Sequence, residues 1–259
     1  MLKQAKWYFR IFPPRASLVR PQEINLMKTI VRKAEERGHA NHGWLDSWHT
    51  FSFADYYDPQ HMGFRSLRVI NQDRIAPGRG FGTHPHRNME IFSYLLEGEL
   101  EHKDSMGNGR VLSPGQIQLM SAGSGVTHSE FNPRADAEAH LLQIWILPRQ
   151  ANLIPSYTEW HPDTSLENAS KVLVISADGR DGSATIHQDA DVYRLRVKAG
   201  EAVDHFLGVD RGLWLQVMRG SIEVDGKTVH AGDAISTETA GAWKFHAHTD
   251  SEALLFDLR

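Results

Sequence analysis

Four side chains stand out for the chemistry they could perform together. His84 and His86 flank Pro85 in Thr83-His84-Pro85-His86-Arg87, and His128 and Glu130 flank Ser129 in Gly125-Val126-Thr127-His128-Ser129-Glu130. In an extended strand, residues i and i+2 point to one face. Each pair therefore projects together, its members roughly 7 Å apart along the backbone. That spacing lets two imidazoles converge on one ion at about 2.1 Å each. Two such pairs on facing strands of a barrel make a set of three histidines and one carboxylate. The chain has 15 histidines and no cysteine. Disulfides, thiolate metal sites and a cysteine nucleophile are thereby excluded, and a transition metal has to use imidazole and carboxylate. Such donors suit Fe(II), Cu(II), Ni(II), Mn(II), Co(II) or Zn(II), with open positions left for substrate and dioxygen. Pro85 has no N–H to give a ladder, which predicts an edge or irregular stretch for the first pair.

The elements that must position these residues read as strands. Ile91 to Leu96 is an apolar run closed by Glu97-Gly98, and Leu141 to Leu147 is another, ended by Pro148. Leu112-Ser113-Pro114-Gly115 predicts a turn before Gln116 to Met120. Val172 to Ile175 and Val192 to Val197 continue the style, and Asp225-Gly226 between Ile222-Glu223-Val224 and Lys227-Thr228-Val229 is a hairpin signal. No segment keeps a helical period. A faint repeat joins the halves. Leu95-Leu96-Glu97-Gly98-Glu99-Leu100-Glu101 matches Val217-Met218-Arg219-Gly220-Ser221-Ile222-Glu223, and Gly115 and Gly123 match Gly232 and Gly241. The expected fold is all-β with two small barrels in tandem. The expected divisions are an N-terminal extension over 1–26, a metal-binding domain over 27–148, a connection over 149–170 and a second domain over 171–259.

The 259 residues are enough for two cores, and the hydrophobic fraction of 41% and charged fraction of 23% are those of an ordinary globular protein. No apolar run approaches the roughly 20 residues that span a bilayer, so no membrane partner is expected and the cytoplasm is the expected location. The net charge of −4 offers no basic field to phosphates, so direct nucleic-acid binding is not expected. Residues 1–26 differ: Lys3, Lys6, Arg10, Arg15 and Arg20 face one acid, Glu23, and Pro13, Pro14 and Pro21 oppose a helix. With no clean apolar core and cleavage site, they are read as a disordered or upstream-annotated extension, with Met27 as the true start.

An isolated His-x-His is more often a surface pair, but here the flanks repeat a known order. Gly78, His84, His86 and Glu90, then Gly115, Gly123, His128 and Asn132, resemble the two cupin motifs, although Gly98 comes one residue late and Ser121 stands where proline is common. Spacing alone allows either Glu90 or Glu130 as the carboxylate ligand. The closer resemblance is to the pirin family, through His84-Pro85-His86-Arg87, Tyr94-Leu95-Leu96-Glu97-Gly98 and Gly125-Val126-Thr127-His128-Ser129-Glu130. Gly43-Trp44-Leu45-Asp46-Ser47-Trp48-His49-Thr50-Phe51-Ser52-Phe53 resembles the bacterial branch that includes quercetin dioxygenases. This resemblance implies a bicupin holding one divalent metal, Fe(II) foremost, through His84, His86, His128 and Glu130. It gives Glu90 the task of orienting an imidazole. It implies a flavonol-like substrate and O2, a dry apolar cavity, ring cleavage with loss of carbon monoxide, and Glu130 as the catalytic group receiving the flavonol proton. The rival implication is a non-catalytic, metal-dependent redox sensor or transcriptional co-regulator acting through a protein partner.

Other residues receive quieter readings. His39, His42, His49 and His61 are expected in loops or hydrogen bonds, and Glu101, His102 and Asp104 in a solvated hairpin. Trp44, Trp48, Phe51 and Phe53 are expected in the core, and Phe81 and Met89 as walls of a pocket. In the second domain, counting back from Gly220 puts Phe206 and Gly208 in the places of His84 and His86, with His246 and His248 near those of His128 and Glu130. That domain is read as structural.

Overall fold

A computed structural model describes residues 29–163 and 165–259. The readings of residues 1–26 and of Met27 as a start lie outside the described residues. No α-helix occurs among the described residues, only two short 3-10 turns, and no helix is long and apolar enough to cross a membrane. The expectation of an all-β chain with two tandem cupin barrels holds. Each half pairs a seven-stranded antiparallel sheet, or nearly so, with a four-stranded one.

In the first half the large sheet runs Ser156–Trp160, Ile117–Ser121, Glu90–Glu97, Ala139–Ile146, Leu67–Ile75, Leu45–His49, Gly38–Asn41. The small sheet runs Gly80–His86, Val126–Phe131, Leu100–Asp104, Gly109–Leu112. Two pairings cross the expected divisions. Ser156–Trp160, from the segment read as a connection, adds an edge strand to the first large sheet beside Ile117–Ser121. Ile30–Arg32, from the first domain as read, pairs with Ala234–Thr237 of the second. Both are short edge strands with weak patterns, and only the sheet edge they meet assigns them.

The apolar runs are continuous because both faces of the large sheets are covered. Phe92, Tyr94 and Leu96 join Leu254, Phe256 and Leu258 in one core between the two halves, while Leu95 packs inside the first barrel. Ala253 and Leu255 pack inside the second. A strand buried on both sides loses the alternation of a half-exposed one. The Asp225-Gly226 turn forms as expected, with φ of 53° and 69° at its two central residues, the primed-turn geometry that tight hairpins favour.

Candidate metal centre

Gly80–His86 is an edge strand of the small sheet, as Pro85 requires, hydrogen-bonded only to Val126–Phe131. The register sets His84 opposite His128 and His86 opposite Val126. A register shift between His128 and Glu130 puts Glu130 opposite Phe81. The three imidazoles thus meet: their ring centroids are 4.5 to 4.8 Å apart, and one nitrogen from each lies within 4.8 Å of the others. Glu130 belongs to an overlapping group with His128 and His102. His128 and Glu130 are each 1% exposed, while His84 and His86 are half-buried.

Hydrogen bonds turn this cluster toward a cation. Nδ1 of His84 sits 2.8 Å from the carbonyl oxygen of Gly82, which can only accept. Nδ1 therefore carries a proton, which leaves Nε2 as the lone-pair nitrogen of the neutral ring. That Nε2 faces Nε2 of His128 at 3.1 Å. Burial and the neighbouring imidazoles push His86 down to about 4 and His128 down to about 3, so both are neutral at ordinary pH, as metal ligation demands. Glu130 accepts 2.5 Å from Nε2 of Gln143, and the Ser93 hydroxyl lies 3.1 Å from its other oxygen. Neutral imidazole lone pairs converging beside a braced carboxylate are a donor set that fits a divalent transition ion.

Glu90 does something else. It is fully buried but accepts from the Ser121 hydroxyl at 2.7 Å and from the backbone N–H of His187 in the second half at 3.2 Å. Strand parity explains the difference. Within Glu90–Glu97, Glu90 shares the face of Phe92 and Tyr94, which is turned to the other domain, and Ser93 is on the site face. Parity does not carry from His86 to Glu90, because Asn88 between them has a φ of 52° and breaks the extended chain. Glu90 makes no hydrogen bond to any of the three clustered imidazoles, and the role of orienting one of them does not stand.

The site opens into a cavity of about 850 Å³. Trp44, Phe53, Tyr56, Phe81 and Trp145 form aromatic walls, with Trp44 edge-on to Phe81 and Phe53 edge-on to Trp145. Phe51 instead packs on Trp214 between the domains, and Met89 does not border this cavity. The cavity is not uniformly apolar. Ser47, His49, Asn71 and Asp73 make a polar strip, in which Ser47 donates to Asp73 and His49 Nδ1 donates to Asn71 at 2.8 Å. Complete burial, reinforced by the charge of Glu130, pushes Asp73 up to about 7. His39 and His42 also border the cavity, whereas His61 pairs with Asp58 outside it.

Sequence reasoning misses this strip, along with Ser93, Gln118, Gln143 and His102. The signal that could find them is a lone polar residue set into an apolar strand, such as Ser93 within residues 91–96 or Gln143 within residues 141–146. His102 and Asp104 are not a solvated pair: both side chains are fully buried beneath His128.

Residues 30–146 match the family model described as Pirin. The chain is 50% identical over 228 residues to the quercetin 2,3-dioxygenase of Escherichia coli K12, covering 88% of this chain and 97% of that protein. It belongs to the pirin family. Residues 173–258 of this pirin match the model described as quercetinase C-terminal cupin domain. The crystal structure of YhhW from Escherichia coli superposes with a TM-score of 0.87 at 49% identity, covering 90% of this chain and 98% of that one. A nickel(II) complex of bacterial pirin YhhW superposes with a TM-score of 0.85 at 48% identity, covering 89% and 99%.

Proposed function

We propose that this pirin is a metal-dependent dioxygenase that opens quercetin-like flavonols with O2 and releases carbon monoxide. His84, His86, His128 and Glu130 would hold one divalent metal, Fe(II) by preference. The observation that carries the reading is the convergence of neutral imidazoles and a braced carboxylate at the end of an aromatic cavity large enough for a flavonol-sized ligand. The naming of its 50% identical relative as a quercetin 2,3-dioxygenase supports the substrate class. Nickel(II) in a 48% identical relative supports a divalent ion.

Bound there, the ion supplies a Lewis acid with redox capacity and open positions. The protein's own residues do the rest. Trp44, Phe53, Phe81 and Trp145 take the planar rings and exclude water. Glu130 receives the proton of the flavonol 3-hydroxyl. Gln143 and Ser93 hold its carboxylate in place, so little reorganisation is needed when the proton arrives. The polar strip of Ser47, His49, Asn71 and Asp73 offers partners to hydroxyls of the substrate. No observation on the site favours the non-catalytic reading.

The test is direct. Protein freed of metal and reloaded anaerobically with Fe(II) is mixed with quercetin and air. The flavonol absorbance should fall and carbon monoxide should appear in proportion. Glu130→Gln should lose both metal affinity and turnover. Stoichiometric metal without flavonol loss would refute the enzyme reading.

A further inference from the structure

The imidazole of His84 has its tautomer fixed by a backbone carbonyl, but that of His128 has no such neighbour. Its Nδ1 lies instead 3.4 Å from Nδ1 of His102, a fully buried side chain. The other ring nitrogen of His102 is 3.2 Å from Oδ2 of Asp104, whose side chain is also fully buried. Asp104 Oδ1 accepts from the backbone N–H groups of Met106 and Asn108, and Oδ2 from the Asn108 amide at 2.9 Å. Asp104 is held below the usual carboxylate range by these bonds against its burial. As an anion it can only accept, so Nε2 of His102 carries the proton and Nδ1 is the acceptor. Gln118 Nε2 donates to that same Nδ1 at 2.6 Å. With Gln118 so placed, the single lone pair of His102 Nδ1 faces two donors, Gln118 at 2.6 Å and His128 at 3.4 Å, and Gln118 Oε1 has no partner; His102 donates from Nε2 to Asp104, and His128, donating from Nδ1, keeps a lone pair on Nε2.

A second observation points the same way. The strand pairing of the second barrel puts Val224 in the place of His102 and Ile235 in that of Gln118. The Asp104 position falls on Gly226 of the tight turn. Where the histidine cluster is gone, its supports are gone with it.

We propose that His102, backed by Asp104 and Gln118, is a positioning residue for His128. It fixes the Nδ1–H tautomer and ring plane of His128 and strengthens Nε2 as a donor to the metal. The inference rests on the proposal that His128 is a ligand. Although His102 belongs to a possible donor group with His128 and Glu130, its Nδ1 lone pair faces Gln118 and His128 and its Nε2 faces Asp104, so it supports the centre without joining it.

The experiment titrates the full-length, chelator-treated protein with Ni(II) at one fixed pH, and records electron paramagnetic resonance after Cu(II) loading. His102→Leu should keep one equivalent of metal but bind it about 10–100-fold more weakly, with a changed Cu(II) signal and an unchanged number of coordinated nitrogens. His102→Gln, which returns an acceptor oxygen, should recover most of the loss. If His102→Leu does not fold, Asp104→Asn carries the test. Its oxygen stays with the two backbone N–H groups, its amide faces Nε2 of His102, and the reversed tautomer takes the acceptor from His128, with a weakening of the same order. Wild-type affinity in folded His102→Leu, or in Asp104→Asn where that variant stands in, overturns the inference. So does the loss of one coordinated nitrogen, which would make His102 a ligand. A wild-type protein that takes up no metal, or a His128→Ala variant that binds like it, overturns the ligand reading itself and this inference with it.

Discussion

The two barrels share one architecture and fill it with opposite chemistry. Gly98 and Gly220 begin equivalent hairpins, and strand pairing from them aligns the interiors. His84 faces His128 across the small sheet of the first barrel, and His205 faces Trp243 in the second. Leu207 takes the place of His86, and Phe245 that of Glu130. The braces change in step: Ser93 becomes Leu215, Gln143 becomes Leu255 and Asp73 becomes Leu195. Phe206 and Gly208, expected in the places of His84 and His86, are not there, since Phe206 points outward at 73% exposure. His246 sits where Phe131 does, one strand position away from the barrel interior. Counting back from a glycine misses the connection that precedes the following strand, which has four residues, 208–211, where the first barrel has three, 87–89. His205 is held by Asp257 at 2.8 Å and by Lys171 at 3.0 Å, and among the described residues no histidine cluster lies beside it. A functional barrel needs a polar shell as deep as its polar site, because each buried donor or acceptor costs about 1–3 kcal/mol if left unpaired.

The largest expected effect separates the barrels outright. His84→Ala or His128→Ala should lose the stoichiometric metal while the protein stays folded, and His205→Ala should change metal content not at all. Metal analysis after equilibrium dialysis checks this, and metal loss in His205→Ala would break the contrast. Reversing the chemistry of the second barrel should be costly. Phe245→Glu would put a carboxylate among Leu255, Trp243 and Val224 with no Gln143 or Ser93 to meet it. We expect a loss of at least about 3 kcal/mol in urea unfolding and no metal gained.

Asp73 against Leu195 sharpens the same point through pH. The folded pKa of about 7 lies above the unfolded 3.8. The unfolded chain therefore releases its proton first, and stability falls as pH rises between those values. Asp73→Asn should match the metal-free wild type near the lower value and exceed it above the upper one. The gain is bounded near 4 kcal/mol, at about 1.36 kcal/mol per unit. Equal stabilities in alkaline buffer would refute it. The smallest effect is at Glu90. Glu90→Gln should leave metal affinity unchanged and lower stability by about 1–3 kcal/mol through its bonds to Ser121 and His187. A weakened metal site would return Glu90 to the centre.

Much of this molecule is legible in its amino-acid sequence. The i, i+2 spacing of His84 with His86 and of His128 with Glu130 places each pair on one face, and Pro85 places the first on an edge. The Asp225-Gly226 turn and the apolar runs follow from local strand and hairpin chemistry. These features depend on neighbours in the chain, where strand periodicity acts directly. Tertiary structure alone decided the rest. The face of Glu90 depends on a left-handed residue at Asn88, and the membership of Ile30–Arg32 and Ser156–Trp160 depends on which sheet edge was free. The burial of His102, Asp104 and the Ser47–Asp73 strip depends on strands far apart in sequence. A polar residue in a strand reads as solvent-facing until the opposing sheet closes over it, and that closure is a long-range event no local pattern encodes.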